Sequence, residues 1–282
     1  MFCLKARIIS NKKIKGRFYH CAIASGKLAR QSLPGQFVQI KVAPVHEPLL
    51  RRPFSIHGVN GKNIEIIYEV VGQATRILSQ RKKGEYLDVI GPLGKGFDYS
   101  SQVLKPLGSV ILVAGGMGVA PLIFLAEKIA KFKIKNQKSK ILVLIGAKTK
   151  NQILCEKEFK NLGCNVKIAT DDGSCGFKGR VTELLMHLPS TINHQPSTIY
   201  ACGPHPMLRE VSRLSVEYKI PAQVSLEEHM SCGIGACMGC VVKIKNPCLS
   251  GRQETAKIKD DFKYNRVCKE GPVFDAVQII WE

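Results

Sequence analysis

The sequence predicts a multidomain protein: an antiparallel β-barrel over residues 1–105, an α/β parallel-sheet unit over 106–220, and a small cysteine-bearing C-terminal unit over 221–282. Three observations predict it. Short alternating segments rich in β-branched and aromatic residues, punctuated by Gly, Pro and Asn, run up to residue 106 with no αβα rhythm among them. Unalternating apolar runs that each end in a glycine-rich or polar turn then recur, as central parallel strands do. Finally, Cys232, Cys237 and Cys240 fall within nine residues, interleaved with Gly233, Gly235 and Gly239.

In the first unit Phe2–Ile9, Arg17–Ala24, Gln36–Val42, Asn63–Val70 and Tyr86–Ile90 read as strands. Closing them into a barrel removes the edges that an uncovered sheet would expose. Three pieces between them have the chemistry of a binding site. Arg51-Arg52-Pro53-Phe54-Ser55-Ile56 sets basic groups beside a ring and a hydroxyl, suited to a phosphate and a flat ligand and equally to a surface turn. Gly72-Gln73-Ala74-Thr75-Arg76 opens a short helix over Ala74–Gln80, where free amides and the Thr75 hydroxyl suit a pyrophosphate. Gly91-Pro92-Leu93-Gly94-Lys95-Gly96-Phe97 permits close approach of backbone to a ligand.

The second unit opens with Val110–Ala114, fully apolar, then Gly115-Gly116-Met117-Gly118-Val119-Ala120-Pro121 and a helix over Leu122–Phe132. Strand, glycine turn and helix form the context in which a glycine motif signals a nucleotide. Pro121 suits the first helical turn, though it stands where a strict G-x-G-x-x-G pattern would place its last glycine. Further strands over Ile141–Ile145, Asn165–Ala169 and Ser197–Ala201 end in Gly146–Thr149, Thr170–Ser174 and Cys202-Gly203-Pro204; helices follow over Val181–His187 and Pro206–Tyr218. Such strand ends predict one ligand crevice outside the carboxyl edge of the sheet. Asp171 and Asp172 favour a ribose diol over a 2′-phosphate, so NADH is expected over NADPH, against Lys148 and Lys150 nearby.

Composition narrows the alternatives. Apolar content of 45% is ordinary for a globular chain. Eleven cysteines suit a reducing, cytoplasmic setting better than a disulfide framework. The uncharged stretch Pro106–Ala126 holds Gly115, Gly116, Gly118 and Pro121 and reads as strand, turn and helix start, so no membrane insertion is expected. A formal charge of +20 raises nucleic-acid binding, but lysines such as Lys128, Lys131, Lys133, Lys135, Lys138 and Lys140 are scattered and no nucleic-acid motif accompanies them. A solvated basic face or an acidic protein partner fits them instead.

The C-terminal spacing is C-x4-C-x2-C with a further thiol downstream, the plant-type arrangement for a [2Fe-2S] cluster. Four-cysteine zinc sites come as two short pairs, and buried small hydrophobes would not need the interleaved glycines. For the fourth ligand Cys268 lies far enough along for a hairpin to leave and return, whereas Cys248 sits in an Asn246-Pro247-Cys248 turn close behind Cys240. Ala276–Trp281 reads as a closing strand, and Glu227 and Glu228 as a helix or turn cap.

These pieces resemble the ferredoxin reductase family. In that likeness Arg52, Pro53, Phe54 and Ser55 correspond to its flavin segment, and Gly72 and Thr75 to the element at the FAD pyrophosphate. Gly115, Gly116, Gly118 and Pro121 correspond to its nucleotide loop, with Cys202, Gly203 and Pro204 near the nicotinamide. The stretch Ser225-Leu-Glu-Glu-His-Met-Ser-Cys232 through Cys240, followed by Val267-Cys268-Lys-Glu-Gly-Pro-Val-Phe274, resembles the electron-transfer subunit of class 1B dihydroorotate dehydrogenase from end to end. The spacer between Cys240 and Cys268 is longer than in many of its members. The resemblance implies FAD, a [2Fe-2S] cluster held by Cys232, Cys237, Cys240 and Cys268, and NAD as diffusible substrate. It also implies an FMN-containing dihydroorotate dehydrogenase catalytic subunit as partner in a 2+2 heterotetramer, with the base that takes a proton from dihydroorotate on that partner and none here. A related subunit of an NADH-dependent ferredoxin:NADP oxidoreductase or sulfide dehydrogenase shares this layout and is the alternative.

Overall fold

The computed structural model describes residues 1–43, 47–100, 109–133, 141–187, 197–246 and 262–282. The first sheet is built from β1 (Phe2–Lys15), β2 (Phe18–Ala24), β3 (Phe37–Lys41), β4 (Arg52–Ser55), β5 (Gly58–Asn60), β6 (Asn63–Glu69) and β7 (Tyr86–Leu93), with α1 (Gly26–Gln31) and α2 (Gln73–Gln80) between strands. Its order is β4-β3-β7-β1-β2-β6-β5, all antiparallel. The two ends of that order are consecutive in the chain. Between them the Ile56 amide donates to the Gln36 carbonyl at 3.0 Å and the His57 amide to the Glu65 carbonyl at 2.8 Å, so one run of chain bonds to both ends of the sheet and curls it closed. Phe54 of β4 consequently meets Tyr68 of β6 edge to face, with centroids 5.8 Å apart. Inside lie Ile8, Ile23, Val38, Ile40, Ile64, Ile66 and Val89, the inward set expected of alternating strands.

The second sheet contains β8 (Ser109–Gly115), β9 (Ile141–Ala147), β10 (Asn165–Thr170), β11 (Phe177–Lys178), β12 (Ser197–Cys202), β13 (Ala222–Ser225) and β16 (Val273–Asp275). The order is β11-β10-β9-β8-β12-β13-β16, parallel throughout except that β16 runs antiparallel to β13. β8 and β12 are apolar on both faces because helices cover both. Val110, Leu112 and Ala114 pack with residues of α3 (Val119–Lys133) and with Phe159 of α4 (Glu156–Asn161), while Ile111 and Val113 pack with α5 (Val181–Met186) and α6 (His205–Glu217). From β8 the order runs to β9 on one side and to β12 on the other. The switch point of this sheet therefore lies where the Gly115–Gly118 turn faces the Cys202–Pro204 turn.

The C-terminal stretch has one hairpin of its own, β14 (Val241–Lys245) with β15 (Phe262–Arg266), antiparallel from Val241↔Arg266 to Lys245↔Phe262. The rest of it leans on the other units. β13 and β16 extend the second sheet, and Cys240, Ile244, Val267, Cys268 and Phe274 share one core with Phe37 and Leu93 of the barrel. Phe124 of α3 in turn enters the barrel core. One expectation is corrected: Ala276–Trp281 is not a strand, since Ala276–Gln278 forms a single 3-10 turn capped by the Asp275 carboxylate, which accepts from the Val277 amide at 3.2 Å.

Candidate functional site: one cavity beside a four-thiol loop

A cavity of about 770 Å³ opens where the three parts meet, a size that suits a cofactor. One wall is Arg52-Pro53-Phe54-Ser55 with Tyr68, Gly72 and Thr75; a second is Met117 and Ala120 from the nucleotide turn; a third is Ser225 through Met230.

The adjacent arginines diverge. Arg51 is held inside the barrel domain, donating to the Asp88 carboxylate at 2.7 Å and to the Asp88 carbonyl at 2.8 Å. Among the described residues Arg52 bonds backbone carbonyls, Leu50 at 2.8 Å and Arg51 at 3.2 Å through one nitrogen, and lines the cavity with its side chain. Thr75 does not offer its hydroxyl outward as the sequence suggested. Its Oγ1 accepts from the Val71 amide at 3.0 Å and the Gly72 amide at 3.2 Å, satisfying two orphan donors ahead of α2.

The nucleotide turn is built by backbone crowding. A Cβ on Gly118 would land on the Cys202 carbonyl, and one on Gly115 would meet Pro204 Cδ at 2.8 Å. The turn after β8 and the turn after β12 therefore touch main chain to main chain. Gly116, at φ +55, has open space instead and is the glycine of this turn that faces away from packing. Pro121 lies in the first turn of α3, and Asp171 is exposed at the end of β10, its amide bonded to the Ala147 carbonyl at 3.1 Å. None of Gly115, Gly116, Gly118, Pro121, Asp171, Cys202 or Gly203 lines the cavity; Met117 and Ala120 represent their turn there. The glycines of Gly91–Phe97 likewise admit protein, not ligand: a Cβ on Gly94 would sit 2.6 Å from Pro272 Cδ and 2.7 Å from the Gly271 carbonyl.

Cys202 is 1% exposed. Burial and the Glu227 carboxylate push its thiol well up, against a hydrogen bond with Ser225, so it stays protonated and suits alignment rather than nucleophilic attack. Glu227 is an exposed residue that lines the cavity, and partial loss of water there raises its carboxyl pKa against the pull of His205. His205 reaches Glu228 at 3.0 Å. These carboxylates therefore cap no helix. Sequence reading missed the His205–Glu228 pair because α6 and the 225–230 segment are brought together only at the cavity.

The four thiols gather as two pairs. Cys232 hydrogen-bonds with Cys237, and Cys240 with Cys268. The hairpin returns the chain so that the Val267 amide donates to the Cys240 carbonyl at 2.8 Å and the Cys268 amide to Cys240 Sγ at 3.4 Å. At Cys232 burial disfavours the thiolate, but the Ile234 amide, Cys237 and the Ala236 amide, 3.3 Å from Sγ, outweigh it and bring the thiol down to about 6. Burial and the Cys240 thiol hold Cys268 up at about 12. Arg266 fastens the loop: it donates to the Gly235 carbonyl at 2.5 Å and pairs with Glu270, whose carboxyl its guanidinium holds down to about 2. Among the described residues no three His, Cys, Asp or Glu side chains close on one point as a mononuclear site requires. Two thiol pairs in an amide-rich loop, with Gly233 at φ +69 and Gly235 at φ +84, fit the wider nest of a two-iron core. Cys248 lies outside the described residues.

A family model for the oxidoreductase NAD-binding domain matches residues 112–213, and one for the iron-sulfur cluster binding domain of dihydroorotate dehydrogenase B matches residues 227–280. The "Dihydroorotate dehydrogenase B (NAD(+)), electron transfer subunit" of Desulforamulus reducens is 38% identical over 279 residues, covering 98% of this chain and 98% of its own. The protein of the same description from Caldanaerobacter subterraneus subsp. tengcongensis is 35% identical over 279 residues, covering 99% and 98%. Among solved structures, an NADH-dependent reduced ferredoxin-NADP oxidoreductase studied for flavin-based electron bifurcation superposes with a TM-score of 0.78 at 27% identity, covering 98% of this chain and 90% of that one.

Proposed function

The chain belongs to the family of dihydroorotate dehydrogenase B electron transfer subunits, and from that premise we propose how its residues carry the relay. It is an oxidoreductase component that uses FAD and a [2Fe-2S] centre, takes NAD as diffusible substrate, and moves electrons between NAD+ and the dihydroorotate-oxidising subunit in pyrimidine biosynthesis. The observation that carries the residue assignments is the single cavity shared by the Arg52–Ser55 segment, Met117 and Ala120, and the Ser225–Met230 leader to Cys232. FAD, when bound, supplies the conversion between a hydride and single electrons.

Arg52 and the free amides at the start of α2 take the phosphates, with Gly72 and Thr75 shaping that start. Phe54 and Tyr68 wall the flat end, and Pro53 and Ser55 line it. Gly116 and the start of α3 receive the nicotinamide cofactor's pyrophosphate. Gly115, Gly118, Pro121, Cys202 and Gly203 hold that turn in place, and Asp171 takes the ribose diol of NADH in preference to NADPH. Cys232, Cys237, Cys240 and Cys268 ligate the two irons. Functional units at 1–105, 106–220 and 221–282 correspond to the three duties.

The partner is a catalytic subunit carrying FMN, assembled as a 2+2 heterotetramer, with the base for dihydroorotate on that subunit. A cytoplasmic setting is supported by the reduced cysteines; among the described residues no helix is long and apolar enough to cross a membrane. Co-expression with a neighbouring gene for an FMN-dependent dehydrogenase should give dihydroorotate-dependent NAD+ reduction, whereas this chain alone should show NADH-driven dye reduction only. A purified complex that ignores dihydroorotate and instead couples NADH, NADP and reduced ferredoxin would favour the second reading, which the end-to-end likeness to that oxidoreductase motivates.

A further inference from the structure

Gln39 is the middle residue of β3, opposite Pro53 of β4 and Ile90 of β7. Its neighbours Val38 and Ile40 point into the barrel core, so the alternation sends Gln39 out through the barrel wall, where an amide would ordinarily meet water. It meets none: Gln39 is 0% exposed. The cysteine loop covers it. A Cβ on Gly233 would press into the Gln39 amide, 2.6 Å from Cγ and 2.7 Å from Cδ, which makes glycine the residue that can follow Cys232 with this side chain beneath it. The amide is poorly satisfied. Nε2 is the amide atom nearest the Gly233 position, and among the described residues its hydrogen-bond contact is the weak acceptor Met230 Sδ at 3.9 Å, so an N–H is left for the loop above; Oε1 has no hydrogen-bond partner among the described residues and is not one that a sulfur could serve. A buried amide left so underused is disfavoured, a penalty that an apolar residue of similar shape would avoid.

The sulfurs of a [2Fe-2S] centre only accept hydrogen bonds, and N–H groups aimed at them favour the reduced, more negative state and raise the potential. We propose that Gln39 donates a side-chain N–H to the sulfur shell of the centre beside Cys232, so that the strand paired to the flavin segment also sets the centre's potential and its seat against the barrel. This rests on the reading that the four cysteines hold the two irons. Gln39 is a positioning and tuning residue; it touches no substrate.

The test is an EPR-monitored redox titration of the anaerobically prepared full chain beside Gln39→Leu, with iron and sulfide analysis of both. Gln39→Leu should keep the centre, and its affinity for an electron should fall roughly tenfold, about 59 mV for a one-electron couple. The rate at which NADH bleaches the flavin should not change. An unchanged midpoint in iron-replete Gln39→Leu overturns the inference. Wild-type protein labelled with side-chain ¹⁵N-glutamine supplies a readout independent of the variant's folding: pulsed EPR of the reduced centre should detect a ¹⁵N coupling, and its absence overturns the inference. A wild-type chain that takes up no iron fails the ligand assignment itself, and the inference with it.

Discussion

Cys268 and His57 are both nearly buried, and each carries a prediction at the scale of one side chain. Cys268→Ser should lose the two-iron EPR signal while Cys248→Ser retains it; the reverse pattern would move the fourth ligand to Cys248. His57 follows the Arg51–Ile56 segment directly, its ring edge-on to His20 at 5.9 Å, with the Glu65 carboxylate acting on it. Burial, then His20, lowers its pKa from 6.5 to about 4, against the raising effects of Glu65 and the Ala120 carbonyl. Since the folded pKa lies below the unfolded one, stability is complete above about pH 6.5 and declines as pH falls toward 4. The full loss is about 3 kcal/mol. Thermal melts of His57→Gln between those pH values should show a flatter dependence than wild type, and parallel curves would remove His57 from the account. What the sequence revealed at this scale was residue type in order, enough to point to the four thiols that the fold gathers and to Arg52 at the cavity wall. It could not reveal that Thr75 caps its own helix or that Gln39 lies under Gly233, because both depend on which backbone comes to rest above them.

The contact between the turns after β8 and β12 is a property of elements. With a methyl at Gly118 there is no flexible neighbour to yield, only the Cys202 carbonyl, so Gly118→Ala should cost about 2 kcal/mol or more in a denaturant melt and raise the KM for NADH. An alanine variant with wild-type stability would mean the turns can part. Arg266, at the end of β15, ties the returning strand to Gly235 and Glu270. Arg266→Gln should release iron to a chelator about tenfold faster, a loss typical of removing a group that orients ligands. Elements with a strong pattern were legible in the sequence: the barrel strands, the strand–glycine–helix start and the hairpin that returns Cys268. The glycines of Gly91–Phe97 were read as making room for a ligand and instead make room for protein, Gly91 for Val38, Gly94 for Gly271 and Pro272 and Gly96 for Pro34, since a glycine announces close approach without naming what approaches. The strand β16 went unread for a related reason: three residues at a sheet edge leave too short a pattern.

Across the whole molecule the three parts are joined by shared cores, with Phe124 set into the barrel and Phe37 and Leu93 packed against Cys240, Cys268 and Phe274. A chain cut after Ser225 would bare that apolar surface and leave β13 as an open edge, so it should express as aggregate rather than as a working diaphorase; a monomeric, NADH-active fragment on size-exclusion chromatography would contradict this. The run from Ala222 to Cys232 is in turn a sheet strand, a cavity wall and the approach to the first thiol of the loop. Lengthening it by even one residue would shift the reading frame of all three roles at once. Anyone transplanting the iron-bearing tail onto another reductase as a cassette should therefore splice upstream of β13, carrying that strand along.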